Sequence, residues 1–284
     1  MWRNANEHSK EFLHKYGPWA LVAGASEGLG AAFAEALAER GLNLVLVARR
    51  SELLEQVAGR LSGRYSIQAR CLCLDLSQAE AASQIVRETQ ALEVGLLVYN
   101  AAFSAVGPFL DHSLDDHLKE VDTNVRAPLE LVEAFGRRML AGGHGGIILM
   151  SSLSAAQGSA YISNYSATKA YNMVLAEGLW EEWRRGGVDV LACMAGAIRT
   201  PNYLASSPRH TGTISDATLE PERVVAEALA GLGHRPTVIP GRLNRLSSFV
   251  MRHLIPRRAS VQIMGSVLRG MYVHDNPDDT EAKK

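Results

Sequence analysis

Short apolar runs alternate along most of the chain with longer stretches in which apolar positions recur every three or four residues. Trp19–Gly24 (WALVAG), Asn43–Ala48 (NLVLVA), Ile67–Leu74, Gly95–Tyr99 (GLLVY), Ile147–Met150, Val188–Cys193 and Thr237–Ile239 read as seven strands. Between them, Gly28–Arg40 carries Leu29, Phe33 and Leu37 at four-residue spacing, the repeat of one helical face. Gly41 follows as the expected C-cap. Helices are predicted over Ser51–Leu61, with Ser51 as N-cap, and over Ser77–Thr89, Ser113–Asn124, Arg126–Ala141, Ser163–Arg185 and Glu222–Leu232. Strands that alternate with helices need crossover connections, and these produce a parallel sheet covered on both faces. The predicted fold class is therefore α/β.

No internal repeat and no Pro/Gly/Ser-rich linker divides this pattern. Residues 17–240 read as one catalytic-sized domain, preceded by an extension over 1–16. Residues 241–273 are an apolar and basic extension of the same domain, and 274–284 a polar tail. Residues 197–220 contain Pro201, Pro208, Gly212 and several Ser/Thr, the composition of a long functional loop. Composition narrows the function classes: 47% apolar and 21% charged residues are ordinary globular usage, and a formal charge of −1 favours no nucleic acid. Three cysteines, Cys71, Cys73 and Cys193, with no metal-ligand spacing point to a reducing compartment and a cytoplasmic location. The nine histidines form no ligand motif, so no metal is expected. No run is long enough to span a membrane, and residues 1–16 lack the apolar region of a secretion signal.

The first strand leads through Gly24-Ala25-Ser26-Glu27-Gly28-Leu29-Gly30 directly into a helix. Glycines in such a turn let the backbone approach a pyrophosphate, and the helix N-terminus offers unpaired N–H groups and partial positive charge. The second strand ends at Arg49-Arg50, where an acid would accept ribose hydroxyls and an arginine would accommodate a 2′-phosphate. NADP(H) is therefore the predicted cofactor. Asp75, followed by Leu76 at the end of the third strand, is placed to accept a hydrogen bond from adenine. Tyr165 and Lys169 are four residues apart and share a helical face. A cation beside a phenol favours the phenolate, so the pair is expected to move the tyrosine pKa from near 10 toward neutrality. Such a group exchanges a proton with an oxygen while hydride moves at the adjoining carbon. Ser152 follows the fifth strand, Asn100 the fourth, and Asn124 lies on the next helix, so these groups converge at the strands' C-terminal ends.

These residues together resemble the short-chain dehydrogenase/reductase family over about 17–240: Gly24/Gly28/Gly30, Asp75, Asn100-Ala101, Asn124, Ser152, Tyr165/Lys169 and Gly196 with Thr200. The resemblance implies a single Rossmann-type, doubly wound sheet. It makes Tyr165 the acid/base, Ser152 the group that positions the substrate oxygen, Lys169 the one that lowers the phenol pKa and holds the ribose, and Asn124 the support of a water relay. It places Ile198 and Thr200 at the nicotinamide carboxamide. It also implies a homodimer or homotetramer through helices 126–141 and 163–185, with Trp180 and Trp183 suited to burial there. Four positions depart from the family pattern: Ala23 for the usual Thr, Tyr99 and Ala102 for the first Asn and the Gly of the usual Asn-Asn-Ala-Gly, and Ala195 for the Pro before Gly196. They bear on local rigidity and on the space beside the nicotinamide.

The substrate lining is expected from Ala102–Leu110, Leu153–Ile162 and the 197–220 loop. Phe103, Val106, Phe109, Leu153, Tyr161, Tyr203 and Leu204 make it apolar, which suits a steroid, a long 3-oxoacyl chain or an aryl ketone. The similarity is nearest to reductases of steroids and long 3-oxoacyl-CoA chains. Arg199 is placed to meet an anionic group or simply solvent. Between Glu227 and Asp275 lie seven arginines and no acid, with Leu243, Leu246, Phe249, Val250 and Leu254 at near-helical spacing. That segment reads first as a helical extension packed on the core or a partner subunit, with its arginines in water; the alternative is that it caps the crevice or meets an anionic surface such as lipid headgroups or an acyl-CoA phosphate. The alternative function is a catalytically silent NADP-binding regulator of the same fold.

Overall fold

The computed structural model describes residues 10–201 and 218–272. Seven parallel strands form one sheet in the order β3-β2-β1-β4-β5-β6-β7. They are β1 Trp19–Ala23, β2 Asn43–Ala48, β3 Ala69–Cys73, β4 Val94–Tyr99, β5 Gly145–Ser152, β6 Val188–Ala195 and β7 Thr237–Val238. The longer helices that accompany them are α1 Gly28–Glu39, α2 Ser51–Tyr65, α3 Ala81–Glu88, α4 Leu114–Val121, α5 Ala127–Gly142, α6 Ser163–Trp183, α7 Pro221–Gly231, α8 Arg242–His253 and α9 Arg257–Tyr272. The doubly wound architecture is the one expected.

Successive side chains of a strand point to opposite faces, and the core divides accordingly. On one face Val22, Leu44, Leu46 and Ile148 pack against Phe33, Leu37, Leu54 and Val224 from α1, α2 and α7. On the other, Leu21, Val45, Leu97 and Leu149 pack against Ile85, Leu131, Phe135 and Met173 from α3, α5 and α6. The order reverses direction between β1 and β4, so chains leave these two strands toward opposite sides and open a crevice at their C-terminal ends.

Several boundaries differ from the pattern-based reading. The N-cap of α2 is Arg50, not Ser51, which is the first helical residue. Helix α3 loses its first turn because the Ser77 amide and hydroxyl both bond the Asp75 carboxylate. The segment around Asn124 does not end one helix and begin another: a π-helical turn over Asp122–Arg126 runs α4 into α5. β5 and β6 each extend two residues further at their C-terminal ends than predicted and reach the crevice.

Residues 10–16 are helical and docked on the sheet through Tyr16, whose hydroxyl donates to Asp189 at 2.6 Å. Trp183 packs its ring on Gly136 of α5 within the same chain. Helices α8 and α9 lie along the 153–162 segment. Arg257 donates to the Ala156 carbonyl at 2.5 Å, Arg269 to the Tyr161 hydroxyl at 3.0 Å, and Asn244 covers Gly196. The outer side of α8 carries Leu243, Leu246 and Phe249, all more than half exposed.

Candidate active site

The glycine turn is shaped by contacts that exclude side chains. Gly24 has φ +82°, and a Cβ there would lie 2.8 Å from the Ala101 amide nitrogen and Cα. A Cβ on Gly30 would lie 1.9 Å from the Gly24 carbonyl oxygen. That carbonyl accepts from Asn100 Nδ2 at 3.0 Å, while the Ala23 carbonyl accepts the Asn100 and Ala101 amides at 3.0 and 2.8 Å. The strap to β4 is thus made by backbone and Asn100, which answers the loss of a hydroxyl at Ala23. Glu27 caps α1 without a side-chain hydrogen bond, and the first turn of α1 holds no acid. Its leading N–H groups, from Gly28, Leu29 and Gly30, therefore face the crevice without an intrahelical acceptor. A pyrophosphate fits this cradle.

Both arginines at the end of β2 stand beside it. Arg50 bridges Glu27 Oε1 at 2.5 Å and Ser26 Oγ at 3.3 Å, and Arg49 lies 3.9 Å from Asp75. The Ser77 and Arg49 contacts hold the Asp75 carboxyl below its ordinary range against the effect of burial. Thr200 sits over the turn, with Gly28 against its methyl group, and its amide donates to the Ile198 carbonyl at 2.8 Å. Ile198 is anchored by a bridge to Leu219. Arg199 pairs with Glu220 on the surface at 3.3 Å. Tyr203 and Leu204 lie outside the described residues.

Tyr165 and Lys169 occupy the first turns of α6. Lys169 is 2% exposed, its Nζ donates to the Met150 carbonyl at 2.9 Å, and it lies 5.6 Å from the Tyr165 ring centroid. Ser151 fastens the helix by donating to the Lys169 carbonyl at 2.7 Å. The Ser152 oxygen accepts from the Ser154 hydroxyl and amide at 3.0 and 3.2 Å, and Ser152 pulls the Tyr165 pKa down. Here the expected electrostatics needs correction. Burial pushes the Tyr165 phenol up to about 12, against the pull of Ser152. Burial also brings the Lys169 ammonium down to about 8. Removal from water outweighs the neighbouring cation, so in the protein alone the phenol keeps its proton at neutral pH.

Asn124 is fully buried in the π-helical turn. Its side chain pairs with both backbone groups of Phe103, accepting the amide at 2.9 Å and donating to the carbonyl at 2.8 Å. It also donates to Thr168 Oγ1 at 3.1 Å, and its own carbonyl accepts from Asn172 Nδ2 at 2.9 Å. Asn124 thus clamps the start of the 103–110 segment, a contact its helical position alone does not reveal.

The sequence reading missed Thr168, Asn172 and Glu120. Glu120 is completely buried, one turn before Asn124, and accepts the Ala105 amide at 3.2 Å. The signal was an acid on the inward face of a helix, at four-residue spacing from Asn124. Phe109 stacks on His117 with centroids 4.1 Å apart, so this aromatic faces α4 and not open crevice.

The short chain dehydrogenase family model matches residues 18–209. The chain belongs to this family. It is 33% identical over 236 residues to a 7beta-hydroxysteroid dehydrogenase of Clostridium sardiniense, covering 82% of this chain and 89% of that protein. A very-long-chain 3-oxoacyl-CoA reductase of Danio rerio is 30% identical over 223 residues, 77% of this chain and 68% of the other. Among solved structures, one from work on 7beta-hydroxysteroid dehydrogenase stereoselectivity superposes with a TM-score of 0.85 at 30% identity, over 89% of this chain and 98% of that one. A short-chain dehydrogenase from Sphingobium yanoikuyae in complex with NADPH gives 0.70 at 29% identity, over 79% and 87%. This short-chain dehydrogenase is thus an oxidoreductase with hydroxysteroid dehydrogenases and 3-oxoacyl-CoA reductases among its relatives. No helix among its described residues is long and apolar enough to cross a membrane.

Proposed function

We propose that this short-chain dehydrogenase reduces the carbonyl of a bulky hydrophobic ketone with NADPH, a steroid being the leading class, and that Tyr165 is its acid/base. One observation carries the reading: a buried Lys169, a phenol and the Ser152 hydroxyl meet in the crevice that also holds the glycine cradle. Arg49, beside Asp75, and Arg50, beside Ser26, each more than half exposed, supply the cationic seat of a 2′-phosphate. The relatives' steroid and 3-oxoacyl-CoA substrates and the NADPH-bound neighbour support the substrate class and the cofactor.

When bound, the reduced nicotinamide supplies the hydride. Ser152 and Tyr165 orient the carbonyl oxygen by hydrogen bonds, and Tyr165 passes its proton to that oxygen as negative charge builds there. Lys169 stabilises the phenolate left behind. Asn124 keeps the 103–110 loop against the substrate by holding both backbone groups of Phe103. The retained Ser152, Tyr165 and Lys169 disfavour a silent regulator. Assembly as a homo-oligomer is proposed through the outer face of α6, where Val174 is 61% exposed and Tyr171 lies beside it. A cytoplasmic location, consistent with free Cys71, Cys73 and Cys193, and weak contact of the outer α8 face with an anionic membrane complete the reading.

The test is NADPH oxidation with a 7-oxosteroid, a long-chain 3-oxoacyl thioester and a bulky aryl ketone. Tyr165→Phe should lose at least about 100-fold in kcat. Wild-type turnover matched by that variant would refute the acid/base role.

A further inference from the structure

Glu120 is the least expected group in this site. It is 0% exposed, it lies on α4 where that helix packs against α6, and its Oε2 has no hydrogen-bond partner among the described residues. Two more buried polar atoms without such a partner flank it: His117 Nδ1, one turn earlier on α4, and His112 Nε2, from the 109–112 turn. The two imidazoles meet edge to face at 6.1 Å. Three buried polar side-chain atoms with no protein partner among the described residues thus belong to groups that act on one another here.

What surrounds the carboxyl defines its role. Its Oε1 takes the Ala105 amide, so it shares with Asn124 the work of fixing the substrate loop. Asn164, which precedes Tyr165, donates to the His117 carbonyl at 3.1 Å and helps to lower the pKa of the carboxyl. The titratable groups facing it are His117 on α4, His112 on the preceding turn, and Tyr165 and Lys169 on α6. Tyr272 of α9 also raises the Tyr165 pKa slightly. Among the described residues, Glu120 is the acid whose charge bears on both Tyr165 and Lys169. Burial raises its own pKa, against the Ala105 amide first, then Asn164, His117 and His112, which pull it down.

We propose that Glu120 is a positioning residue for the acid–base step: its carboxylate is the buried counter-ion that keeps Lys169 in the ammonium form beside Tyr165 while anchoring the substrate loop through Ala105. The physical need is plain. A lysine shut away from water loses its proton readily, and a neutral amine stabilises no phenolate. The carboxylate also opposes loss of the phenol's proton, so it favours the protonated form of both groups. This assignment rests on Tyr165 and Lys169 acting as proposed above.

The test is the pH dependence of kcat/KM for NADPH-driven reduction of a 7-oxosteroid, or whichever ketone of the panel turns over, and of the reverse oxidation. Wild type, Glu120→Gln, Glu120→Met and Tyr165→Phe are compared. Gln keeps an acceptor for the Ala105 amide and removes only charge; Met fills the volume with no hydrogen-bond requirement. Loss of the negative charge should move the alkaline limb of reduction and the acidic limb of oxidation together to lower pH, by about half a unit or more. Limbs that stay in place in a folded variant would overturn the proposal, because a purely structural role predicts lower activity at unchanged pH dependence. Failure of both variants to fold would assign the carboxyl to the fold and overturn it as well. Absent wild-type turnover, or a fully active Tyr165→Phe, would instead overturn the acid/base reading beneath it.

Discussion

Replacing Gly30 by alanine tests whether the cradle is set by close packing of backbone. The new Cβ would lie 1.9 Å from the Gly24 carbonyl oxygen and 2.8 Å from Asn100 Nδ2, where contacts under 3.0 Å are essentially never tolerated. The carbonyl must retreat by about 1 Å, a clash of the overpacking kind. It has nowhere easy to go. Gly24 already holds φ +82° with its α-carbon against Ala101, and the carbonyl is tied to Asn100 at 3.0 Å. Overpacking costs about 1–3 kcal/mol, and the weakened hydrogen bond adds about 1 kcal/mol. At about 2–4 °C per kcal/mol for a chain of this size, Tm should fall by about 5–15 °C. The leading N–H groups of α1 move with the turn, so NADPH should bind at least about tenfold more weakly. Thermal unfolding with and without NADPH, and a binding titration, measure both effects. Gly63→Ala is the control: it lies on the exposed side of α2 with nothing within 4 Å of its Cβ, and should gain about 0.5–1 kcal/mol from helix propensity. A Gly30→Ala protein that melts within a degree of wild type and binds NADPH within twofold would refute the argument.

Arg49→Asp combined with Arg50→Asp should raise the Kd for NADPH by at least about 100-fold relative to its effect on NADH, since each charge-assisted phosphate contact is worth about 1.5–3 kcal/mol; equal effects on the two cofactors would end the case for a 2′-phosphate seat. Lys169→Met should remove reductase activity while thermal stability stays near or above wild type, because it relieves a desolvated charge of similar volume; an active Met variant would contradict the role of the ammonium. In the wild type, reduction should decline as pH rises through about 8, where Lys169 gives up its proton; a rate that is flat from neutrality well past that point would refute the dependence. Asn124→Ala should loosen the 103–110 loop and raise KM together with a loss in kcat, checked by steady-state kinetics and by hydrogen exchange at Phe103.

Legibility followed the kind of force at work. β2 was readable to the residue because NLVLVA is buried almost throughout, and a parallel strand covered on both faces has an unbroken apolar run. β3 was overextended, since its alternation is weak and its residues are only partly covered. The spacing of Tyr165 and Lys169 revealed a shared face, and Gly24, Gly28 and Gly30 revealed a turn, because both depend on local backbone geometry. Long-range competition was invisible. Nothing in the residues around Ser77 shows that its hydroxyl will leave the helix for Asp75. No propensity marks the π-helical turn that swings Asn124 onto Phe103. Glu120 and Ala105 are 15 residues apart and meet only once α4 packs on α6.

The protonation states of the central pair bear on direction. A phenol held near 12 beside an ammonium near 8 is, at neutral pH, a loaded proton donor next to a cation able to stabilise the anion it leaves. That starting state is the one carbonyl reduction requires, whereas oxidation of an alcohol requires the phenolate. Each unit by which the phenol pKa exceeds the ambient pH reduces the phenolate fraction tenfold. The burial that opposes the expected acidification of Tyr165 also packs Lys169 under β5, with Met150 as its acceptor and Glu120 as the acid across the helix pair.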